Sequence, residues 1–376
     1  MSIATAISDR SKRLSRLSSL LFCLFLATGF MTAGFEAYAE PYMAVHMGLK
    51  CSGCHVNPTG GGKRNEFGSI YGMTTLTQAD VTEIWQGPNL NDYVSIGGDL
   101  RVNAVSNSIP NQDSTFVFET EEVLLYLEVQ LLPDQLTFYV DQRLGPGGTS
   151  NREAYGLFWF RDKTLYAKAG RMFLPFGLRL EDDTAFVRQV SGINYNTPDD
   201  GVEVGVDYDR ITVNLAITNG TAGGNETDTG KQYSLSAVYM EDNWRLGASY
   251  NYNDVEDQDR TMAALFGGLR TGKIHWLMEW DYIVDDVPAG DQLKQIAGIV
   301  EANAGFWKGT NIKLTYEFLD PDKNINEDER TRWSLVWEYF PIQFTQLSIG
   351  YRDNEGIPQN DLQNISELFI QLHNYF

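Results

Sequence analysis

The sequence predicts an all-β protein, a transmembrane antiparallel β-barrel of about sixteen strands that follows a small N-terminal segment. Three observations lead to this fold class. Runs of alternating apolar and polar residues recur from Asp92 onward, their connections alternate in length, and the last run stops at the aromatic residue Phe376. The mean hydropathy of −0.29 agrees with a barrel, because alternation between lipid-facing and lumen-facing positions averages apolar and polar contributions.

Residues 1–39 have the three parts of a secretory signal peptide. Four basic residues precede the apolar run 20–27, and the small-residue site Ala37-Tyr38-Ala39 follows it. The apolar run is too short to span about 30 Å of hydrocarbon, so we interpret this segment as a signal peptide that is cut after Ala39. Cys23 lies inside the apolar run and would leave with the signal.

The charge of the chain excludes one class of partner. The formal net charge is −21, and loss of residues 1–39 makes it more negative because that segment carries four basic and two acidic side chains. Such a surface repels nucleic acid, so no nucleic-acid partner is expected. The mature chain retains two cysteines, Cys51 and Cys54, which leaves no disulfide framework.

Strand signals fill the chain from about residue 91 to its end. In residues 274–282, isoleucine, methionine and aromatic residues occupy every second position, and His275, Glu279 and Asp281 lie between them. Comparable runs are 94–104, 123–131, 136–140, 202–208, 211–217, 233–239, 244–250, 312–318, 333–339 and 368–376. We expect about sixteen strands in all. A soluble β-sandwich would also show alternation, but it explains neither this number nor the aromatic strand ends.

The connections predict where the barrel resides. Short ones are 161–163, 241–243, 270–272 and 340–342, and they alternate with polar connections at 218–230, 251–260, 284–292, 319–330 and 352–361. Short periplasmic turns and long outer loops are typical of outer-membrane barrels. The terminal strand, ending in Phe376, resembles the signal that bacterial barrel assembly recognises. These features predict the outer membrane of a Gram-negative bacterium, with its lipid as a partner.

Residues 173–200 interrupt the strand pattern. The segment is long and carries charges of both signs. It is either a loop that folds into the pore as a constriction or an ordinary surface loop, and its residues alone do not decide between these two interpretations.

The motif Cys51-Ser-Gly-Cys54-His55 predicts one covalently bound haem c. Two thiols at this spacing can form thioether bonds to the haem, and the adjacent histidine then supplies the proximal iron ligand. A zinc site would need further ligands, and the mature chain has no other cysteine. A thioredoxin-like redox pair would need a βαβ context, which is absent from the sequence pattern.

The distal iron ligand is less well defined by the sequence. His46 is the favoured candidate, with Met47 and Met73 as alternatives, and Met43 is a further nearby sulfur donor. A second histidine would give a lower haem potential than a methionine would. The glycine-rich stretch 57–62 lets the backbone approach the haem closely and turn sharply; it lacks the spacing of a phosphate-binding loop.

The predicted domains are therefore the signal peptide 1–39, a monohaem segment 40–90 and a porin-like barrel 91–376. About fifty residues rarely form a core without support, so the haem segment is too small to bury a haem alone. Large barrels can hold a plug in the lumen. Our hypothesis is that residues 40–90 lie inside the barrel.

The Cys51–His55 motif just after the signal, Phe67-Gly68 behind it and a barrel ending at Phe376 resemble the fused outer-membrane cytochrome–porins of iron-oxidising bacteria. The resemblance covers the architecture of the whole mature chain, but only the haem segment carries a specific motif. It implies that Cys51 and Cys54 hold the haem and that His55 ligates its iron. It also implies electron uptake from extracellular Fe(II) and delivery to a periplasmic c-type cytochrome.

We therefore expect an outer-membrane electron conduit that connects an extracellular metal ion or other electron donor with periplasmic cytochromes. An extracellular Fe(II) oxidase is the enzyme activity that the resemblance implies, while the residues themselves leave the donor open. The alternative is a diffusion porin in which the haem segment is structural or sensory.

Overall fold

The computed structural model describes residues 40–79, 88–226, 228–254, 259–286 and 292–376. The predicted signal peptide lies outside the described residues. The strands of the first half are β1 (Val94–Ser108), β2 (Thr115–Leu132), β3 (Leu136–Gly145), β4 (Ser150–Phe160), β5 (Leu165–Met172), β6 (Asp199–Tyr208), β7 (Ile211–Thr218) and β8 (Gln232–Met240). Those of the second half are β9 (Trp244–Asn253), β10 (Arg260–Thr271), β11 (Ile274–Asp286), β12 (Gln292–Ala304), β13 (Thr310–Asp320), β14 (Arg330–Tyr339), β15 (Thr345–Glu355) and β16 (Ser366–Tyr375).

These sixteen strands form one closed antiparallel barrel, which confirms the predicted fold class and strand number. Each strand pairs with its neighbours in sequence, and β1 pairs with β16 to close the sheet. The seam runs from Asp99 opposite Tyr375 to Ser108 opposite Ser366. Closure leaves no strand with unpaired backbone groups at a sheet edge.

The barrel is apolar outside and polar inside. On β11, Met278 and Trp280 are 45% and 51% exposed, whereas Glu279 between them and Asp281 after them are buried in the interior. The same inversion recurs on β8, where Leu235 is exposed and the serines on either side of it face inward. Backbone groups in lipid must be satisfied within the sheet, and an apolar outer wall is what lipid requires.

The connections follow the predicted alternation, with small shifts in their bounds. One end of the barrel carries seven short turns of up to five residues, and we call it the short-turn end. The long-loop end carries the other connections, which range in length from 146–149 to 173–198. Among them, 356–365 replaces the predicted 352–361 because β15 continues to Glu355. Strand β2 begins at Thr115, eight residues before the predicted run. The sequence pattern missed this part of the strand because its residues are exposed on both faces and do not alternate.

Three short helices lie among the described residues: α1 (Pro41–Met47), α2 (Glu66–Thr74) and α3 (Phe186–Ser191). Helices α1 and α2 belong to the segment 40–79, which we call the lumenal segment. Among all the described residues, no helix has the length and apolar character that a membrane-spanning helix needs.

The lumenal segment packs against the inner wall of the barrel near the short-turn end. Gly48 lies against the turn at Asp242, and the amide of Gln78 donates a hydrogen bond to the carbonyl of Phe340 at 2.8 Å. Helix α1 contacts β10 and β11. For residues 40–79, these contacts agree with the hypothesis that the segment sits inside the barrel.

The connection 173–198 enters the lumen from the long-loop end. Phe173, Leu174 and Phe176 are buried, and the amides of Leu178 and Phe186 donate hydrogen bonds to wall carboxylates at 2.6 and 2.7 Å. Of the two interpretations, the structure therefore supports the constriction, and we call residues 173–198 the constriction loop.

Candidate functional site

Residues 51–55, which we call the haem-type motif, form one tight turn. Residues Cys51–Gly53 are a turn of 3-10 helix, and the amides of Cys54 and His55 both donate to the carbonyl of Cys51, at 3.1 and 3.0 Å. Both cysteines are free thiols. The turn therefore places two thiols and an imidazole on one short stretch of backbone, as attachment of a haem requires.

Helix α2 holds this turn from behind. The side chain of Asn65 caps the helix by accepting a hydrogen bond from the Gly68 amide at 2.9 Å, and the Asn65 amide donates to the carbonyl of Cys54. A Cβ atom at Gly68 would lie 2.2 Å from that same carbonyl oxygen. The close approach explains why a glycine follows Phe67.

The glycine run 60–62 requires the conformations that glycine allows. All three residues have positive φ, between 62° and 88°. A Cβ at Gly60 would lie 3.3 Å from Sγ of Cys51, and one at Gly62 would lie 2.4 Å from the Tyr139 hydroxyl. The run therefore lets the backbone pass between the motif and the barrel wall. The sharp turn agrees with the sequence prediction, while the close approach to a haem stays a prediction.

A buried polar network joins the residue after the motif to the wall. Asn57 is 1% exposed, donates to Glu153 on β4 at 2.8 Å and accepts from Lys168 on β5 at 3.2 Å. Lys168 also pairs with Glu203 at 3.1 Å. Because the wall supplies both partners of Asn57, it fixes the position of the motif two residues earlier.

Further contacts fix the lumenal segment along its length. Arg245 donates to the carbonyls of Ala44 and Leu49 at the end of α1. Lys63 pairs with Glu128 at 3.0 Å, and both side chains are buried. The segment is thus bound to the wall by charged and polar side chains rather than by apolar packing alone.

Cys51, Cys54 and His55 line one cavity of about 360 Å³. The cavity lies between the lumenal segment and the constriction loop, since Phe176 and Tyr195 of that loop also line it. Its volume falls within the range of about 300–1,000 Å³ that is usual for small-molecule and cofactor sites.

The donor set in this cavity fits a haem. Burial, and next the Arg64 guanidinium, lower the pKa of His55 to about 4, so its imidazole is neutral at pH 7, the form that ligates iron. Its buried Nδ1 has no hydrogen-bond partner among the described residues. Burial also raises the pKa of both thiols, which is expected of cysteines that are shielded from water.

The structure separates the candidates for the distal ligand. Nδ1 of His46 lies 2.9 Å from Nε2 of His275 on the barrel wall, and His46 is not among the residues that line the cavity. Met43 and Met47 lie one turn apart on α1 and both line it, whereas the buried Met73 does not. The geometry thus favours a methionine of α1 over His46.

Within the described residues, no group of three or more histidine, cysteine or acidic side chains is placed to hold a metal ion directly.

Several residues of the site have no signal in the sequence. Asn57, Glu153 and Lys168 meet only in the folded barrel. Glu153 lies 96 residues after Asn57 in the sequence, and Lys168 lies 111 residues after it. Arg179 and Tyr195 reach the cavity because the constriction loop folds inward. Only the mixed charge of segment 173–200 pointed toward them.

No protein-family model and no curated protein sequence matches the chain. Among solved structures, it is similar to an OmpT of Vibrio cholerae that lacks loop L8, with 13% identity, a TM-score of 0.58 and coverage of 76% of this chain and 100% of that chain. It is also similar to an anion-selective porin from Comamonas acidovorans, with 11% identity, a TM-score of 0.58 and coverage of 75% and 99%.

A third similar structure is OprB of Pseudomonas putida, with 10% identity, a TM-score of 0.57 and coverage of 76% of this chain and 95% of that chain. At these identities the likeness establishes the fold, which is that of outer-membrane porins. The fold and the apolar outer wall support the predicted location in the outer membrane of a Gram-negative bacterium.

Proposed function

We propose that the protein is an outer-membrane electron conduit, in which a porin-type barrel encloses a segment that binds one haem c through Cys51, Cys54 and His55. One observation supports this most directly: the three motif residues line a single cavity between segments that come from opposite ends of the barrel. A site at that position is enclosed by protein and lies inside the wall that separates the periplasm from the exterior.

The residues of the chain have separate tasks in this proposal. Cys51 and Cys54 would form the thioether bonds, and His55 would supply the proximal nitrogen. Asn57 and its partners Glu153 and Lys168 hold the motif against the wall. The bound haem would supply one-electron oxidation and reduction of its iron, with a potential set by the distal ligand and nearby charges.

The resemblance to the fused cytochrome–porins completes the proposal. By that resemblance the donor is extracellular Fe(II), the acceptor is a periplasmic c-type cytochrome, and the activity is that of an Fe(II) oxidase. The acidic character of the chain favours the approach of a cation.

Covalent haem is tested first. The purified protein, denatured and extracted with acidified solvent, should retain haem absorbance and peroxidase staining at its own gel band. A Cys51→Ala, Cys54→Ala double variant should lose both signals. A wild-type band without haem after expression with cytochrome c maturation would contradict the proposal.

Electron transfer is tested in proteoliposomes that enclose oxidised cytochrome c. External Fe(II), at a pH that favours its oxidation, should reduce the enclosed cytochrome with the wild-type protein. It should not do so with the double variant, which has the same barrel. Full haem loading without reduction of the enclosed cytochrome would remove Fe(II) as the donor.

A diffusion porin with a structural or sensory haem segment is the second candidate. The comparisons favour it, because the similar structures include an anion-selective porin and an outer-membrane channel from Acinetobacter baumannii. In planar bilayers, a diffusion porin should give stable ion conductance and uptake of small solutes. An electron conduit with a filled lumen should give low conductance.

A further inference from the structure

Two arginines beside the haem-type motif have no acidic partner. Arg64 and Arg179 both line the cavity that contains the motif. No carboxylate of the described residues lies within 4.0 Å of either guanidinium group. By contrast, Arg101 and Arg152 line the same cavity and are paired with carboxylates. Arg143 and Arg245 also line the cavity without a carboxylate partner among the described residues, but their guanidinium groups donate to the Asn196 amide oxygen and to backbone carbonyls.

Arg179 belongs to the constriction loop and is turned toward the motif. Its Nη2 donates to the carbonyl of Leu174 at 2.8 Å, and its Cζ lies 5.4 Å from the ring centre of Phe173. A Cβ at Gly60 would lie 4.0 Å from the Cβ of Arg179 and 3.3 Å from Sγ of Cys51. The side chain is therefore next to the first cysteine of the motif.

The remaining donors of Arg179 are available to a ligand. Its buried Nε has no hydrogen-bond partner among the described residues. Burial lowers the pKa of its guanidinium group, because a buried cation with no carboxylate within ion-pair distance is costly. An anion in the cavity would remove that cost.

Arg64 comes from the other side of the cavity. It pairs with His55 in a short backbone bridge, and its Cζ lies 4.2 Å from the ring centre of Tyr375 on β16. One arginine of the lumenal segment and one of the constriction loop thus face the same space from different elements.

We propose that Arg64 and Arg179 form an anion subsite of this cavity and bind the carboxylate groups of the haem that the proposed function requires. The inference rests on that function. Haem carries two propionate groups, and the planar guanidinium group matches a carboxylate with two parallel hydrogen bonds. A free anion such as inorganic phosphate has the same chemistry, so the test must distinguish the two sources.

The test is a redox titration of the haem in the purified holoprotein and in Arg64→Gln and Arg179→Gln variants. Each substitution removes a positive charge near the haem, which stabilises the oxidised state relative to the reduced state. We expect full haem loading and a midpoint potential below that of the wild type. The Lys variants at both positions should keep most of the wild-type potential because they keep the charge.

The matched control is Arg270→Gln. Arg270 also binds the lumenal segment, through the carbonyl of His46 at 2.6 Å, but it does not line the cavity. Its loss should leave the potential unchanged. Each titration is repeated with increasing inorganic phosphate, and a propionate-filled subsite should make the potential independent of phosphate.

The outcomes separate this inference from the proposed function. Wild-type potentials in both fully loaded Gln variants would overturn the subsite, as would a phosphate-dependent potential, which indicates a free anion. Loss of haem from the Gln variants but not from the Lys variants would support it. Loss from the Lys variants too would show that packing rather than charge matters and would overturn it. A wild-type protein without haem would instead refute the proposed function.

Discussion

At the scale of single residues, helix α1 offers two kinds of iron ligand and its packing directs them differently. His46 lies against His275 on the wall, with ring centres 4.8 Å apart, while Met43 and Met47 face the cavity. Adjacent residues on a helix project about 100° apart, so His46 and Met47 cannot both point at one iron.

For the proposed haem we therefore predict that Met47→Ala, or Met43→Ala if the methionine one turn earlier is the ligand, alters the low-spin spectrum and lowers the midpoint potential, because a methionine ligand holds the potential high. His46→Ala should leave the spectrum unchanged. Absorption and electron paramagnetic resonance spectra of the ferric protein measure both effects. A changed spectrum in His46→Ala with an unchanged one in Met47→Ala would restore the histidine as the ligand.

The sequence singled out three residues that line the cavity, Cys51, Cys54 and His55, but not the residues around them. Their spacing predicts covalent haem attachment without reference to the fold. The roles of Asn57 and Arg179 depend on strands and a loop that lie far away in sequence, so no local pattern could identify them. The choice between His46 and Met47 likewise depends on which face of α1 meets the wall.

At the scale of elements, helix α2 supports the motif through a contact that only glycine permits. Gly68 touches the carbonyl of Cys54, and the next glycine of the helix, Gly72, has no atom closer than 3.6 Å to its Cβ position. Both glycines lie in the same helix, so alanine at either position raises its helix propensity. Only alanine at Gly68 would also collide with a packed backbone atom.

We predict that Gly68→Ala destabilises the lumenal segment by about 1–3 kcal/mol, the usual cost of inserting a methyl group into a packed site. Gly72→Ala should be neutral or stabilising by up to about 1 kcal/mol, since alanine favours helix more than glycine does. The measurement is the rate at which a protease releases the peptide that contains Cys51 and Cys54 from the folded barrel. Equal release rates in both variants would contradict the role assigned to Gly68.

The strands were the most predictable elements. Alternation with period two reflects the two environments of a barrel wall, and it held wherever one face met lipid and the other met the lumen. It failed at the start of β2, where residues such as Phe116 and Phe118 project from the rim and both faces are exposed. The loop after β15 begins later than predicted for a related reason: the strand continues past its alternating part to Glu355.

At the scale of the whole molecule, ion pairs connect the lumenal segment to the barrel. The pair of Lys63 with Glu128 joins them across the lumen wall, and their side chains are only 2% and 8% exposed. The pair of Lys163 with Asp134 joins two short turns, with side chains 53% and 76% exposed.

We predict that Lys63→Met loosens the lumenal segment, since removing one partner of a buried ion pair costs about 3–5 kcal/mol. The measurement is ion conductance in planar bilayers, which should rise as the segment leaves the wall. Lys163→Met is the control, because an exposed pair contributes about 0–1 kcal/mol. Unchanged conductance in Lys63→Met would show that other contacts suffice to hold the segment.

The seam between the first and last strands has a consequence for biogenesis. Phe376 exchanges backbone hydrogen bonds with Gly98 at 3.0 and 3.2 Å, and the stem of Lys63 lies against Gly97 beside it. The enclosed residues precede β1 in the chain, and pairing of β16 with β1 closes the barrel around them. Ligation of a porphyrin to Cys51 and Cys54 should therefore come before the cylinder is sealed, so that the maturation machinery meets an open precursor. Export, cofactor ligation and insertion would then follow in that order.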